Sequence, residues 1–169
     1  KDLPSLLKAY AAAGSDARMN GCELPVVINS GSGNQGLTVS VPLIIYAERE
    51  HLDKEKLYRA LVISNLTAIH LKTEIGRLSA FCGAVSAGAA CGAGLAYLKD
   101  ASEEVMNHTI VNALAITSGI ICDGAKASCA AKIAVSVEAG ILGYDMYMNG
   151  QQFYGGDGII SKGIENTIH

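Results

Sequence analysis

"LSAFCGAVSAGAACGAGLAYL", residues 78–98, is the stretch whose reading decides the fold. It is 21 residues without a charge, held between Arg77 and Lys99. That is long enough to cross a bilayer, which takes about 20 residues. The content argues otherwise, because 15 of the 21 are Ala, Gly, Ser or Cys and only six are large and apolar. Such a helix gains little from lipid and fits a crowded protein interior. Ala80, Ala84, Gly88, Gly92 and Ala96 recur every fourth residue and fall on one helix face. They make a flat stripe that a second helix can approach closely. Small-residue stripes also occur in membranes, but the shortage of bulky side chains favours a buried helix over a membrane span.

The rest of the chain reads as helices around this one. Residues 3–13 look helical, and "GSDARMNGCELPVVINSGSGNQG" after them reads as a long connection with many turn formers. A helix is expected from about Gln35 to Glu50, with Pro42 bending it or marking a second start. Asp53 is a good N-cap for a helix over 54–75, where Leu57, Ala60, Leu61, Ser64, Ala68 and Leu71 share one face. Ser102 caps a helix whose first turn holds Glu103 and Glu104, acids that the helix dipole favours. That helix is expected to run to the Asp123-Gly124 turn. Another covers about 126–148, and a last one begins near Ile159. Only "LPVVI" offers a possible short strand. The expected architecture is all-α, a compact bundle of about six helices packed through small residues.

The totals exclude several function classes. The chain has 169 residues, one domain's worth, and half are hydrophobic, enough for a core. Net charge is −3 with no basic run, so nothing points to nucleic acid. Five cysteines, an odd count, argue against a secreted disulfide scaffold and for reduced thiols in the cytoplasm. Lys1 in place of Met, and an end within "GIENTIH", make both termini look cut. The expectation is one helical, catalytic-type domain over 1–169, part of a longer polypeptide.

Two stretches carry chemistry. "CDGAKASC", residues 122–129, sets two cysteines seven apart around an Asp-Gly turn. On an unbroken helix they would stand about 10 Å apart along the axis. Gly124 breaks the helix, so Cys122 is expected at one helix end and Cys129 in the first turn of the next, where the helix end favours thiolate. Cys82, opening the small-residue helix, could join them, and three converging thiolates suit an iron–sulfur site with one iron free. Spacing alone leaves the alternative of buried structural thiols open. Cys91 reads as core and Cys22 as incidental. The second stretch, "NSGSGNQG" at 29–36, can turn backbone N–H groups inward as an anion nest ahead of a helix start. Ser30, Gly31, Ser32, Gly33, Asn34 and Gln35 would hold a carboxylate or phosphate, unless the loop is a plain connector. Lys126 could assist or simply face water. It is not a nucleotide-binding phosphate loop, because the GK[ST] ending is missing. His70 and His108 are weak proton-carrier candidates. "GGDG", 155–158, reads as a turn.

Taken together, "SGSGNQG", "IGRLSAFCGAVSAG", "NALAITSGIICDGAKASCAAKI", "AGILGYDMYMNGQQFYGGDGI" and "KGIENTI" resemble the C-terminal part of the L-cysteine desulfidase family. That family is related to the alpha chain of iron–sulfur L-serine dehydratases. The likeness runs from about Ser15 to the end. It implies an all-helical catalytic domain in which Cys82, Cys122 and Cys129 hold a [4Fe–4S] cluster. The implied activity is a lyase of amino-acid catabolism, removing sulfide from L-cysteine by α,β-elimination to give pyruvate and ammonia without pyridoxal phosphate. An L-serine dehydratase releasing water is the nearest alternative. A redox- or metal-sensing module without turnover is another, and a helical domain that uses the glycine loop for an anion is a third. Family members are longer, and a cysteine near their N-terminus is proposed as the base. Cys22 does not match it, so the base is expected from the missing N-terminal part or a partner chain, and this chain by itself is expected to be inactive.

Overall fold

Asp2 starts the fold, its carboxylate accepting the Ser5 N–H at 2.9 Å to cap α1, Leu3–Met19. The computed structural model describes residues 2–76 and 79–169. Ser32 caps α2, Gly33–Arg49, which starts two residues before the expected Gln35, and Asp53 caps α3, Lys54–Ile75, as expected. Then follow α4, Gly83–Leu98, and α5, Glu103–Thr117, with Ser102 as its cap. The last two are α6, Cys129–Met148, and the short α7, Ile164–Ile168. Seven helices and no β-strand are found among the described residues, so the all-α expectation holds.

The small-residue helix is the axis of the assembly. All of α4 except Gly83 and Tyr97 is buried. It packs against α2, α3, α5 and α6, while α1 bridges α2 and α6. The ring closes between α3 and α5 with α7, which packs on α5 and meets α3 through His70–Glu165 at 2.9 Å and Glu74–His169 at 3.0 Å. The stripe read from the sequence is the α6 contact. A Cβ at Gly88 would stand 2.3 Å from the Ser136 carbonyl oxygen, and one at Gly92 2.8 Å from Gly140 Cα. Only glycine lets the two backbones come this close. No helix among the described residues is long and apolar enough to cross a membrane.

Five local expectations are corrected. The first helix runs on to Met19, through Gly14 and Ser15, because Ser15 is fully buried and donates to Asn34 Oδ1 at 3.2 Å. Burial against α2 here outweighs turn-forming composition. "LPVVI" is not a strand, and its Leu24, Val27 and Ile28 are exposed. Helix α2 is continuous across the buried Pro42, which therefore marks no second start. Helix α5 ends at Thr117, because Gly119 at φ 87° turns the chain. The C-terminal helix begins at Ile164, after turns in which Gly156 and Gly158 take positive φ.

Candidate metal and substrate site

The early end of α5 builds the site. Freed from the helix, residues 120–122 run alongside 80–82. Phe81 and Ile121 form an antiparallel bridge, Cys122 N–H donates to Ala80 O at 2.7 Å, and Cys82 N–H donates to Ile120 O at 3.3 Å. Alternation along paired extended backbone puts Cys82 and Cys122 on the same face and Phe81 and Ile121 on the other. The chain then turns through Gly124, at φ 96°, and re-enters helix at Cys129. The Cys129 thiol points back to the Gly124 carbonyl at 3.6 Å. Lys132, one turn on, pairs with Asp123 and also donates to Ile121 O at 3.4 Å, which ties the turn to α6. That pairing raises the Lys132 pKa and lowers that of Asp123.

Cys82, Cys122 and Cys129 all line one cavity of about 590 Å³. Ser30, Gly31, Ser32, Asn34 and Gln35 line its other side. The N-termini of α2, α4 and α6 therefore converge there, each with the positive end of its dipole. Such a place favours anions and thiolates. A second cavity of about 590 Å³, between α5 and residues 152–164, carries no thiol. Burial pushes the Cys82 thiol up, opposed in part by the N–H groups of Val85 and Ala84. Cys91 is fully buried away from the cavity, and its thiol is pushed up by that burial. Cys22 is exposed.

The glycine loop is tighter than a plain nest. Asn29 and Ser32 exchange backbone hydrogen bonds of 3.0 and 3.2 Å around Ser30 and Gly31, both at positive φ. Asn34 is already spent, its Oδ1 accepting from Ser15 and from Arg18 Nη1, each at 3.2 Å. Gly33 lies under Arg18, where a Cβ would come within 2.7 Å of Nε. Lys126 is exposed and is not on the cavity wall.

A family model described as the serine dehydratase alpha chain matches residues 2–169. The chain belongs to that family. A UPF0597 protein of Desulfitobacterium hafniense is 67% identical over 167 residues, 99% of this chain and 39% of that protein. One from Finegoldia magna is 58% identical over 164 residues, 97% of this chain and 39% of that protein. One from Shewanella sp. strain ANA-3 is 43% identical over 168 residues, 99% and 39%. The chain thus spans about 39% of the length of these curated relatives. No solved structure matches it.

In this member of the serine dehydratase alpha-chain family, two cavity residues escaped sequence reasoning: Arg18 and Lys72. Lys72 is only 4% exposed. Its signal was present, since it continues the Ala60, Ser64, Ala68 row at four-residue spacing, but its charged neighbours in "HLKTE" made it look solvated. Arg18 fell in the stretch read as loop. The two histidine candidates lie elsewhere. His70 meets Glu165, and His108 stacks on Tyr147 with centroids 4.3 Å apart.

Proposed function

We propose that the chain carries the cluster-binding and substrate-binding part of an iron–sulfur lyase that removes sulfide from L-cysteine, giving pyruvate and ammonia. The observation that supports it most is the shared cavity: three cysteines from distant points of the chain and the glycine loop face the same space. The donor set fits a cluster. Among the described residues no three His, Cys, Asp or Glu side chains could grip one metal ion. Cysteine thiolates are the ligands that hold iron–sulfur clusters, and three of them line this cavity. The cavity is far larger than a three-carbon amino acid needs, and three helix N-termini offset the negative charge of three thiolates.

Cys82, Cys122 and Cys129 would hold the cluster. When bound, it supplies an open iron that acts as a Lewis acid on the leaving sulfur or oxygen. The chain's own residues orient the substrate. Ser30, Gly31 and Ser32 face its carboxylate, with the positive end of α2 behind them. In this reading that fixes the α-hydrogen toward a base contributed from outside these residues. The reading places the protein in the cytoplasm, where thiols stay reduced. L-Serine, losing water at the same site, is the second reading, favoured by the description of the matching family.

Replacing Cys82, Cys122 or Cys129 with Ala in the full-length protein, reconstituted without oxygen, removes the cluster absorbance and the sulfide release. Full activity in Cys122→Ala would end the ligand assignment. Sulfide from cysteine measured against pyruvate from serine separates the two lyase readings. A cluster without pyruvate from either amino acid would indicate a sensing module instead.

A further inference from the structure

Two largely buried polar side chains on the cavity wall have no side-chain partner among the described residues. Lys72 is 4% exposed, and no ion pair among the described residues engages it. A lysine packed into a cavity wall with no carboxylate beside it suits an arriving anion. Gln35 is 3% exposed, and its Oε1 accepts no hydrogen bond. A buried carbonyl left open is equally a vacancy for a donor. Both residues line the same cavity. The amide of Gln35 is held there by the start of α4: a Cβ at Gly83 would stand 2.4 Å from its Nε2. Neighbouring Asn34 shows the contrast, since its oxygen is already saturated by Ser15 and Arg18.

The site therefore asks for a ligand that brings an anion and an N–H donor together. A zwitterionic α-amino acid carries both on one carbon. We propose that Lys72 joins Ser30, Gly31 and Ser32 on the α-carboxylate of the substrate and that Gln35 Oε1 takes its α-ammonium. This rests on the lyase reading and deepens it. Recognition at both charged ends leaves Cβ and its leaving group free to lie toward the cysteines. Arg18, held by Asn34, adds positive charge and forms no ion pair among the described residues.

The test is calorimetric titration of the full-length protein without its cluster, under anaerobic conditions. The probes are L-cysteine, cysteamine, which lacks the carboxylate, and 3-mercaptopropionate, which lacks the amine. Lys72→Met weakens L-cysteine about ten- to hundred-fold and leaves cysteamine unchanged. Gln35→Leu weakens L-cysteine similarly and leaves 3-mercaptopropionate unchanged. Lys72→Arg recovers part of the loss. Neither neutral variant melts below the wild type, because each removes a largely buried polar side chain that no described side chain pairs with. Wild-type affinity in both variants, or a melting point well below wild type in both, overturns the pairing. If the reconstituted enzyme turns over and Lys72→Met keeps its KM, the pairing fails while the lyase reading stands. A wild type that neither binds nor consumes either amino acid removes both.

Discussion

Gly88→Ala is the sharpest test of the packing, because one methyl group is asked to separate two helices. An added Cβ would lie 2.3, 2.5 and 2.6 Å from the O, C and Cβ of Ser136. Two of those atoms are backbone, so no side chain can rotate away and α4 and α6 must part. Overpacking of this kind costs about 1–3 kcal/mol, and backbone contacts put this case at the upper end. Replacing glycine with alanine inside a helix returns about 1 kcal/mol. The net expectation is a loss of about 2 kcal/mol. Gly14→Ala is the internal control. It lies in α1, and its nearest neighbour is Leu37 Cδ2 at 3.3 Å, the end of a movable side chain. There the helix gain dominates, and about 0.5–1 kcal/mol of stabilisation is expected. Urea unfolding at a common slope reads both values. Thermal midpoints should move in opposite directions, by about 2–4 °C per kcal/mol for a chain of this size. If Gly88→Ala is as stable as the wild type, the close α4–α6 contact is not what the stripe of small residues is for.

Three further outcomes are expected. Asn112 is fully buried, donates to Gly143 O at 3.0 Å and accepts the Phe153 N–H at 3.1 Å; Asn112→Ala strands both groups, costs about 2–4 kcal/mol and exposes residues 150–155 to protease. Cys91, its thiol raised by burial, stays unlabelled by a thiol reagent at neutral pH while the fold is intact, and Cys91→Ala costs about 1 kcal/mol without removing cluster absorbance. Hydrogen bonding from Ser5 lowers the Asp2 pKa. Its stabilising contribution is present above the unfolded value of about 3.9 and is lost as pH falls through the folded value; amide exchange in the first turn of α1 should then quicken, and Asp2→Asn should remove that pH dependence.

The helical class, the buried central helix and most helix starts were legible in the sequence, because they depend on local spacing and on single capping residues. Asp2, Ser32, Asp53 and Ser102 each need only a neighbour three residues on. Errors came where distant burial decided. Gly14 and Ser15 look like a turn, yet α2 holds them in a helix. Gly119 was a visible stop signal, but the apolar run "GII" masked it, and only pairing with residues 80–82 shows why the chain extends there.

The same division holds for the site. The cysteines and the glycine loop could be picked out one by one, since each is a local composition. That they share a cavity follows from three helix N-termini meeting, a property of no single segment. Lys72 shows the limit most plainly. By sequence it is a lysine in a charged run, and only the packing of α3 against its neighbours buries it in the wall of the cavity that the thiols line. Local spacing selects helices and their faces; which charges end up desolvated together is settled only when those faces meet.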